Sequence, residues 1–373
     1  MNIISKYINF ILLSKKKLCF PEEKQILIFD VNGSQNFSKY LKKYDYSILN
    51  TRFEELNIPI LFKTLCGLNL SYHSYLFNYI DAVKPKIILT FIDNNPLFYI
   101  LKKNDRNFKT IFVQNGIRSS FNDIFAIKHK LKKKDNNVDF MFVANKVYGK
   151  KYSSFVTGKT IPIGYFRNNM FKISKKKKKK EILLISVFRN YSFNQKIYKN
   201  VTFGDFFSND KFFFNWLDNF CSENKLKINI LARSFKNKDF NVEKNYFEKF
   251  FSNPNIIFEK DNPYKHIDRY EYVVTNDSTL GIENLARGGK TAFISNSPNV
   301  YPLTTRKFGH NENLKKNGPF WTCENNTQNF KRVLKYLINS KRKDWNKYTK
   351  RSIVIDKNNK IFQKTISNIL RDR

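Results

Sequence analysis

The stretch NDSTLGIENLARGGK at positions 276–290 has the residue types and spacing of a phosphate-binding turn. Polar residues at its start can cap a helix, and the glycine pair near its end can close one. Because the first turn of a helix has unpaired N–H groups and a partial positive charge, it attracts phosphate. Glu283 lies one turn further on, where a carboxylate can bind a hydroxyl pair of a ribose or another sugar. We therefore expect ligand contacts at Asp277, Ser278, Thr279, Leu280, Gly281 and Glu283, although a capped helix without a ligand has the same pattern.

A second group of polar residues follows two predicted strands in the first half of the chain. A carboxylate at the end of a strand can act as general base towards an acceptor hydroxyl, and we assign this catalytic role to Asp93. Capping of the helix that follows explains the same residue as well. The remaining polar residues are predicted to bind substrate: Asn94 and Asn95 after the first strand, and Gln114, Asn115, Gly116 and Arg118 after the second.

Two arginines in the second half are candidates for binding phosphate oxygens. Arg189 and Arg233 each follow a predicted strand, and a guanidinium group matches phosphate oxygens in a bidentate geometry. The sequence contains no Asp-x-Asp pair of the kind that holds a divalent ion on a diphosphate. We therefore expect no metal and no cofactor, so that helix N–H groups and cationic side chains stabilise the leaving group.

The elements that would position these residues alternate between strand and helix. Stretches with helical spacing, such as 70–83, 96–103, 212–224, 243–251 and 361–370, follow or separate the strands. This alternation predicts the α/β class, with parallel sheets covered on both faces. Apolar runs of strand length occur at 26–30, 47–50, 87–91, 110–114, 140–144, 160–163, 182–187, 228–232, 256–258 and 291–294.

A lysine-rich segment divides the alternation into two halves. Residues 169–181 contain six consecutive lysines, 175–180, and no apolar periodicity, which predicts an exposed linker. We expect an acceptor-side domain over 1–168 and a nucleotide-sugar-binding domain over 182–373, whose C-terminal helices could cross back. Two doubly wound, Rossmann-like domains facing across a cleft are the GT-B architecture of glycosyltransferases, with ligands beyond the carboxyl ends of the strands.

The charge of the chain indicates anionic partners without naming one. The formal net charge is +37, but lysines are spread over both halves, and an A+T-rich genome would also raise the lysine content. Residues 3–13 are largely apolar but interrupted by Lys6 and Asn9, and they are followed by Lys15, Lys16 and Lys17. A short amphipathic helix on an anionic membrane and a packed N-terminal helix are both compatible with this segment. The chain is 41% apolar and 16% aromatic, which favours a folded protein over a disordered one, and no apolar run reaches a membrane-spanning length.

Two aromatic turns, at 308–310 and 318–321, could line a sugar or base pocket. Packing of a loop explains the second turn better.

Five segments of the sequence are distinctive as a set. They are TFIDNNPLFY at 90–99, VQNGIR at 113–118, GYFRNN at 164–169, NDSTLGIENLARGGK at 276–290 and GPFW at 318–321. Together they resemble a bacterial family of surface carbohydrate biosynthesis proteins. The resemblance covers roughly residues 80–325, and the first and fourth segments carry most of it.

The resemblance implies a GT-B glycosyltransferase that acts in lipopolysaccharide, O-antigen or capsule assembly. Its partners would be a nucleotide-sugar donor and a glycan or lipid-linked glycan acceptor, at the inner face of the cytoplasmic membrane or in the cytoplasm. The Glu-x7-Glu pattern of many retaining GT-B enzymes is absent, which favours inversion. Two alternatives stay open: a non-hydrolysing sugar-nucleotide epimerase of the same fold, and a basic membrane- or RNA-binding protein with an inactive cleft. If the protein is the glycosyltransferase, we expect it to have no nucleic-acid partner.

Overall fold

The computed structural model describes residues 13–52, 54–67, 71–102, 107–118, 124–127, 132–192, 194–198, 201–234, 236–276, 278–294, 317–349 and 354–371. The chain forms two compact units. The first unit comprises Met1–Asn115, Lys128–Asn169 and Asp356–Arg373, and the second comprises Gly116–Ile127 and Met170–Ile355. These units differ from the expected domains in two places, because 116–127 belong to the second unit and 356–373 belong to the first.

The elements alternate along the chain as the apolar pattern predicts. The strands are β1 (Lys15–Lys17), β2 (Ile26–Phe29), β3 (Tyr46–Leu49), β4 (Glu55–Asn57), β5 (Ile87–Thr90), β6 (Lys109–Val113), β7 (Asn137–Val143), β8 (Thr157–Pro162), β9 (Lys179–Ile185), β10 (Lys196–Tyr198), β11 (Val201–Thr202), β12 (Ile228–Leu231), β13 (Asn255–Ile257), β14 (Tyr270–Thr275), β15 (Lys290–Ile294), β16 (Asn317–Gly318) and β17 (Trp321–Thr322). The α-helices are α1 (Gln35–Leu41), α2 (Ile58–Cys66), α3 (Tyr72–Val83), α4 (Pro96–Tyr99), α5 (Ile124–Ile127), α6 (Lys146–Ser153), α7 (Phe166–Met170), α8 (Phe203–Phe207), α9 (Asp210–Glu223), α10 (Asn237–Phe247), α11 (Tyr264–Ile267), α12 (Thr279–Ala286), α13 (Thr327–Asn339), α14 (Arg342–Thr349) and α15 (Lys360–Arg371).

The first unit is built on a six-stranded parallel sheet in the order β3-β2-β5-β6-β7-β8. All residues of β2 and β5 are buried. Because both faces of such strands are covered, their sequences are nearly continuous apolar runs. Helix α15 completes this core. Its Phe362 is fully buried, stacks on Phe37 with ring centroids 5.7 Å apart, and meets Phe166 edge-on at 5.0 Å.

The second unit is built on a seven-stranded sheet in the order β13-β12-β9-β14-β15-β17-β16. All neighbouring pairs are parallel except β16 and β17. After β9, the chain adds β12 and β13 on one side of β9 and then adds β14 and β15 on the other side. The strand order therefore reverses between β9 and β14. Both units therefore have the doubly wound α/β topology, which confirms the predicted fold class.

The lysine-rich linker is more ordered than expected. Lys179 and Lys180 are part of β9, so the exposed run ends earlier than predicted. The segment that precedes β9 is also held in place, since Asp268 accepts a hydrogen bond from the Ser174 N–H at 2.9 Å. Lys178 is half-buried, and burial lowers the pKa of its ammonium group. Lys175, Lys176 and Lys177 are exposed, as predicted.

Three other expectations concern the remaining segments. Helix α10 begins at Asn237, six residues before its predicted start, and ends at Phe247. Phe320 and Trp321 are core residues, with Phe320 stacked on Trp345 at 4.3 Å, as the packing interpretation expects. The aromatic turn at 308–310 and most of the apolar segment 3–13 lie outside the described residues. Among the helices that are described, none is long and apolar enough to cross a membrane.

Candidate functional site

The reversal of strand order in the second unit lies between β9 and β14, and the predicted phosphate-binding turn follows β14. In doubly wound sheets, ligands bind beyond the carboxyl ends of the strands at this position. Thr275, the last residue of β14, is fully buried and joins the two strands: its hydroxyl donates to the Ile185 carbonyl at 3.2 Å. The same hydroxyl accepts a hydrogen bond from the Ser278 N–H at 3.2 Å. Thr275 therefore sets where helix α12 begins relative to the end of β9.

Ser278 caps helix α12, as its residue type predicts. Its hydroxyl accepts a hydrogen bond from the Leu280 N–H at 3.3 Å, and its carbonyl accepts one from the Gly281 N–H at 3.0 Å. Thr279 Oγ1 accepts a hydrogen bond from the Ile117 N–H at 3.2 Å. The segment after Gly116 therefore lies against the start of α12. Asp277 lies outside the described residues.

Gly281, predicted to bind substrate, has a packing role in the structure. A Cβ atom at this position would lie 2.7 Å from Thr275 Cγ2 and 3.1 Å from side-chain atoms of Thr291 and Phe293. Only glycine lets α12 approach β14 and β15 this closely, which is the role of a helix–sheet packing glycine in nucleotide-binding folds. The structure thus gives Gly281 a steric role, and its predicted contact with substrate stays a prediction.

The carboxylate and guanidinium groups of α12 are buried. Glu283 is 6% exposed, so most of its surface is withdrawn from solvent. Arg287 forms a bidentate ion pair with Asp268, at 2.7 Å and 2.6 Å, and both side chains are nearly inaccessible. The same guanidinium donates to the carbonyls of Phe171 and Lys172. Arg287 therefore fixes both the end of α12 and the segment that leads into β9.

Glu243 holds the turn that carries Arg233. Its carboxylate is fully buried and accepts hydrogen bonds from the Arg233 N–H at 3.0 Å, from the Ser234 N–H at 2.9 Å and from the Ser186 hydroxyl. Ser186 directly follows β9, so one carboxylate on α10 joins the carboxyl ends of β9 and β12. The Arg233 guanidinium donates to the Phe188 carbonyl at 3.4 Å. Arg189, the residue after Phe188, is exposed.

A small pocket lies next to the end of β9. Its walls include the apolar rings of Phe214 and Phe247, and its polar groups include Ser186, Asn276 and Asp210. Tyr246 donates a hydrogen bond to the Asp210 carboxylate at 2.6 Å. Burial, together with the negative charge of Asp210, raises the pKa of the Tyr246 hydroxyl, so this group stays protonated and donates its hydrogen bond at neutral pH.

In the first unit, the two predicted polar turns lie side by side at the carboxyl ends of β5 and β6. Asp93 is fully buried; its Oδ1 accepts a hydrogen bond from the Asn115 N–H at 2.8 Å and its Oδ2 accepts one from the Tyr152 hydroxyl. The Asp93 backbone carbonyl accepts a further hydrogen bond from Tyr99. Asp93 thus joins the two turns, and its predicted role as general base stays a prediction.

The other predicted residues of these turns divide into capping, bridging and exposed groups. Asn95 caps α4 by accepting a hydrogen bond from the Leu97 N–H at 3.1 Å, which agrees with the capping alternative. Gln114 is buried and accepts one from the Ala144 N–H at 2.9 Å, so it bridges β6 and β7. Asn94 and Asn115 are exposed, and Arg118 is half-buried.

Sequence reasoning missed the residues that support these turns. Glu243 lies on a helix rich in charged residues, where an acid is ordinarily solvated, and nothing in its neighbourhood signals burial. Asp30 follows β2 with a φ of 85°, accepts a hydrogen bond from Arg52 Nε at 2.9 Å and was also missed. Its position immediately after an apolar strand was an available signal. Over the described part of the chain, no group of three or more His, Cys, Asp or Glu side chains could hold a metal ion.

Three solved structures illustrate the fold that this chain shares with known proteins. The wall teichoic acid polymerase TagF is 12% identical with a TM-score of 0.53, over 94% of this chain and 90% of that one. UDP-GlcNAc 2-epimerase from Neisseria meningitidis, bound to UDP-GlcNAc, is 12% identical with a TM-score of 0.50, over 93% and 99%. S. aureus MnaA, solved with UDP, is 14% identical with a TM-score of 0.50, over 92% and 94%. At such identities the likeness shows the fold alone.

Most of the sequence matches the model of one protein family, whereas no curated protein matches. The family is described as "putative O-antigen biosynthesis protein". The match covers residues 111–369, which include the whole of the second unit and, in the first unit, the end of β6, strands β7 and β8 and most of α15. The chain therefore belongs to this family of O-antigen biosynthesis proteins.

Proposed function

We propose that the protein is a glycosyltransferase that moves a sugar from a nucleotide-sugar donor to a precursor of a cell-surface polysaccharide. The observation that carries this proposal is the reversal of strand order between β9 and β14, where Arg189, Asn276 and the start of α12 follow the strand ends of one sheet edge. Membership of an O-antigen biosynthesis family supplies the biological context. We propose a cytoplasmic reaction, with lipid-linked or free glycan as acceptor.

The donor's phosphates would bind at this edge of the second unit. Arg189 and Arg233 supply guanidinium groups there, and the start of α12 adds its partial positive charge. These groups can stabilise the leaving nucleotide without a metal ion. We propose that Glu283 binds a hydroxyl pair of the ribose or sugar from one turn inside the helix. Inversion remains the proposed stereochemical course, since the sequence has no Glu-x7-Glu pair.

A sugar-nucleotide epimerase is the second candidate, because a UDP-GlcNAc 2-epimerase is among the similar structures. Epimerisation requires acid and base groups that exchange protons with the sugar. The Asp93 carboxylate, buried after β5, is a candidate for proton transfer in either reaction, whereas the amides of Gln114 and Asn115 cannot exchange protons in this way. An acceptor-free assay therefore separates the two candidates.

Nucleotide binding tests the proposal directly. Uridine, cytidine, guanosine and thymidine diphosphates would each be added to the full chain, and the melting temperature would be measured. A ligand at 100 times its dissociation constant adds about 2.7 kcal/mol, which raises the melting temperature by roughly 5 °C or more. Arg189→Ala is expected to abolish most of this rise, whereas Lys177→Ala, an exposed change in the same unit, is expected to keep it.

Two results would contradict the assignment. If none of the diphosphates stabilises the wild type, the nucleotide site does not exist. If the protein interconverts UDP-GlcNAc with its 2-epimer in the absence of any acceptor, it is an epimerase and the transferase proposal is wrong.

A further inference from the structure

Helix α2 of the first unit exposes its apolar side chains and buries a polar one. Phe62 and Leu65 are 62% and 42% exposed, and with Ile58 and Leu61 they lie along one face of the helix. The opposite face buries Ile60 and Thr64, whose hydroxyl accepts a hydrogen bond from Asn78 at 3.0 Å. This orientation reverses the usual amphipathic pattern, because a surface helix ordinarily turns its apolar face to the core.

A basic segment with further exposed apolar residues adjoins this helix. Strand β1, Lys15–Lys17, is exposed throughout and pairs with β4, which runs directly into α2. Leu18 and Phe20 follow β1 and are 76% and 61% exposed. The side chain of Asn57, the N-cap of α2, donates a hydrogen bond to the Cys19 carbonyl at 2.9 Å, which holds this segment at the start of the helix.

The charge next to these apolar residues is positive. Lys15, Lys16, Lys17 and Lys63 are all exposed. Among nearby acids, Glu54 is exposed and accepts a hydrogen bond from the Arg52 N–H, and Glu55 lies 3.9 Å from Lys17. Glu22 and Glu23 pair with Lys24 and Lys84. A cluster of exposed apolar side chains beside cationic ones is typical of an interaction site and not of an ordinary protein surface.

We propose that the surface formed by Leu18, Phe20, Phe62 and Leu65, with the lysines of β1, docks on an anionic lipid bilayer. The apolar side chains would enter the boundary between headgroups and acyl chains, while the lysine stems lie along it and their ammonium groups bind lipid phosphates. Each lysine near an anionic membrane surface contributes attraction that falls off within a Debye length. The protein is then peripheral on the membrane, held by its first unit. This proposal is independent of the reaction that the protein catalyses.

Co-sedimentation of the full chain with vesicles tests the docking surface. The vesicles would be phosphatidylcholine with and without phosphatidylglycerol. The wild type is expected to bind only the anionic vesicles, and Phe62→Ser with Leu65→Ser is expected to lower the affinity about tenfold or more. Ile361→Ser is the matched control, since Ile361 is 44% exposed on another helix of the same unit and its replacement should leave binding unchanged.

The lysines provide a second comparison that separates this surface from the general positive charge of the chain. Replacing Lys15, Lys16 and Lys17 by glutamine should lower the affinity about tenfold or more, because three attractive charges are lost at the bilayer. Replacing Lys175, Lys176 and Lys177, which are equally consecutive and exposed, should have little effect. If the two triple variants lose binding equally, the contact is diffuse and the proposal is wrong.

Two natural cysteines report docking in the unchanged protein. Cys19 and Cys66 are exposed at this surface, whereas Cys221 and Cys323 are buried. Anionic vesicles are expected to slow the reaction of Cys19 and Cys66 with a charged, water-soluble maleimide at least about threefold, through exclusion of the reagent from the covered surface. Unchanged labelling rates would overturn the proposal. So would a change of oligomeric state in the Phe62→Ser, Leu65→Ser variant without loss of vesicle binding, since the surface would then join two copies of the chain.

Discussion

Glu243 accepts two hydrogen bonds from Ser234, one from the backbone N–H at 2.9 Å and one from the hydroxyl at 2.5 Å. The carboxylate also binds the Arg233 N–H and the Ser186 hydroxyl, so a single buried side chain organises two strand ends of the second unit. The guanidinium of Arg233 depends on this turn for its position. Glu243, a core residue, thereby positions Arg233, a residue that we predict to bind phosphate.

Glu243→Gln is therefore expected to destabilise the protein. An amide group replaces one carboxylate oxygen and faces N–H or hydroxyl donors, which leaves buried groups unsatisfied at a cost of about 1–3 kcal/mol. Urea denaturation followed by fluorescence measures the change. Glu223→Gln, at an exposed helix end, is the control and should stay within about 0.5 kcal/mol of the wild type.

Gly281→Ala tests the close approach of α12 to the sheet. Alanine ordinarily stabilises a helix by up to about 1 kcal/mol relative to glycine, but here its Cβ would lie 2.7 Å from Thr275 Cγ2. Overpacking of this kind costs about 1–3 kcal/mol, so we expect net destabilisation. Gly67→Ala has only ordinary contacts, at 3.6 Å, and should be neutral or slightly stabilising. Equal effects of the two changes in thermal denaturation would show that the packing at Gly281 is looser.

Because of Glu259, the free energy of unfolding of the second unit should fall at acid pH. Burial alone would raise the pKa of its carboxyl, but hydrogen bonds from the Asn262 and Asp261 N–H groups and the ion pair with Lys265 lower the pKa from 4.5 to about 2. Since the pKa is depressed in the folded state, this stabilisation is complete above pH 4.5 and is lost as the pH falls towards 2. Denaturation curves at several acid pH values should show a weaker pH dependence for Glu259→Gln than for the wild type.

Phe362→Ala should destabilise the first unit strongly. The ring is fully buried among Phe37, Phe142 and Phe166, and removal of a core phenylalanine costs about 3–5 kcal/mol. Ile361→Ala, one residue away and 44% exposed, should cost less than about 1 kcal/mol. Similar midpoints for the two variants in urea denaturation would contradict the assignment of α15 to this core.

Strand periodicity made most of the fold predictable. The buried strands β2, β5, β6, β9 and β12 consist largely of apolar runs, and their order along the chain gives the α/β class. The unit to which α15 belongs could not be predicted, because an amphipathic helix fits either sheet and only the contacts of Phe362 decide. The segment at Gly116 is assigned to the second unit for the same kind of reason, a tertiary contact with Thr279.

The candidate site was partly predictable, and the differences have a common cause. Residue type correctly indicated the caps at Ser278 and Asn95, since capping is a local interaction. Burial is not local, so the sequence could not distinguish an accessible carboxylate from the enclosed one at Asp93. The roles predicted for Arg189, Arg233 and Glu283 stay predictions that the nucleotide experiments address.

The first unit is assembled from segments that are far apart in the chain, and its aromatic core includes a ring from helix α15. During synthesis on the ribosome, the early strands emerge long before residues 360–371 do. The core of the first unit therefore stays incompletely packed until the whole second unit has been translated. Chaperone dependence in the cell should accordingly be greater for this protein than for one whose domains are each encoded by a continuous stretch.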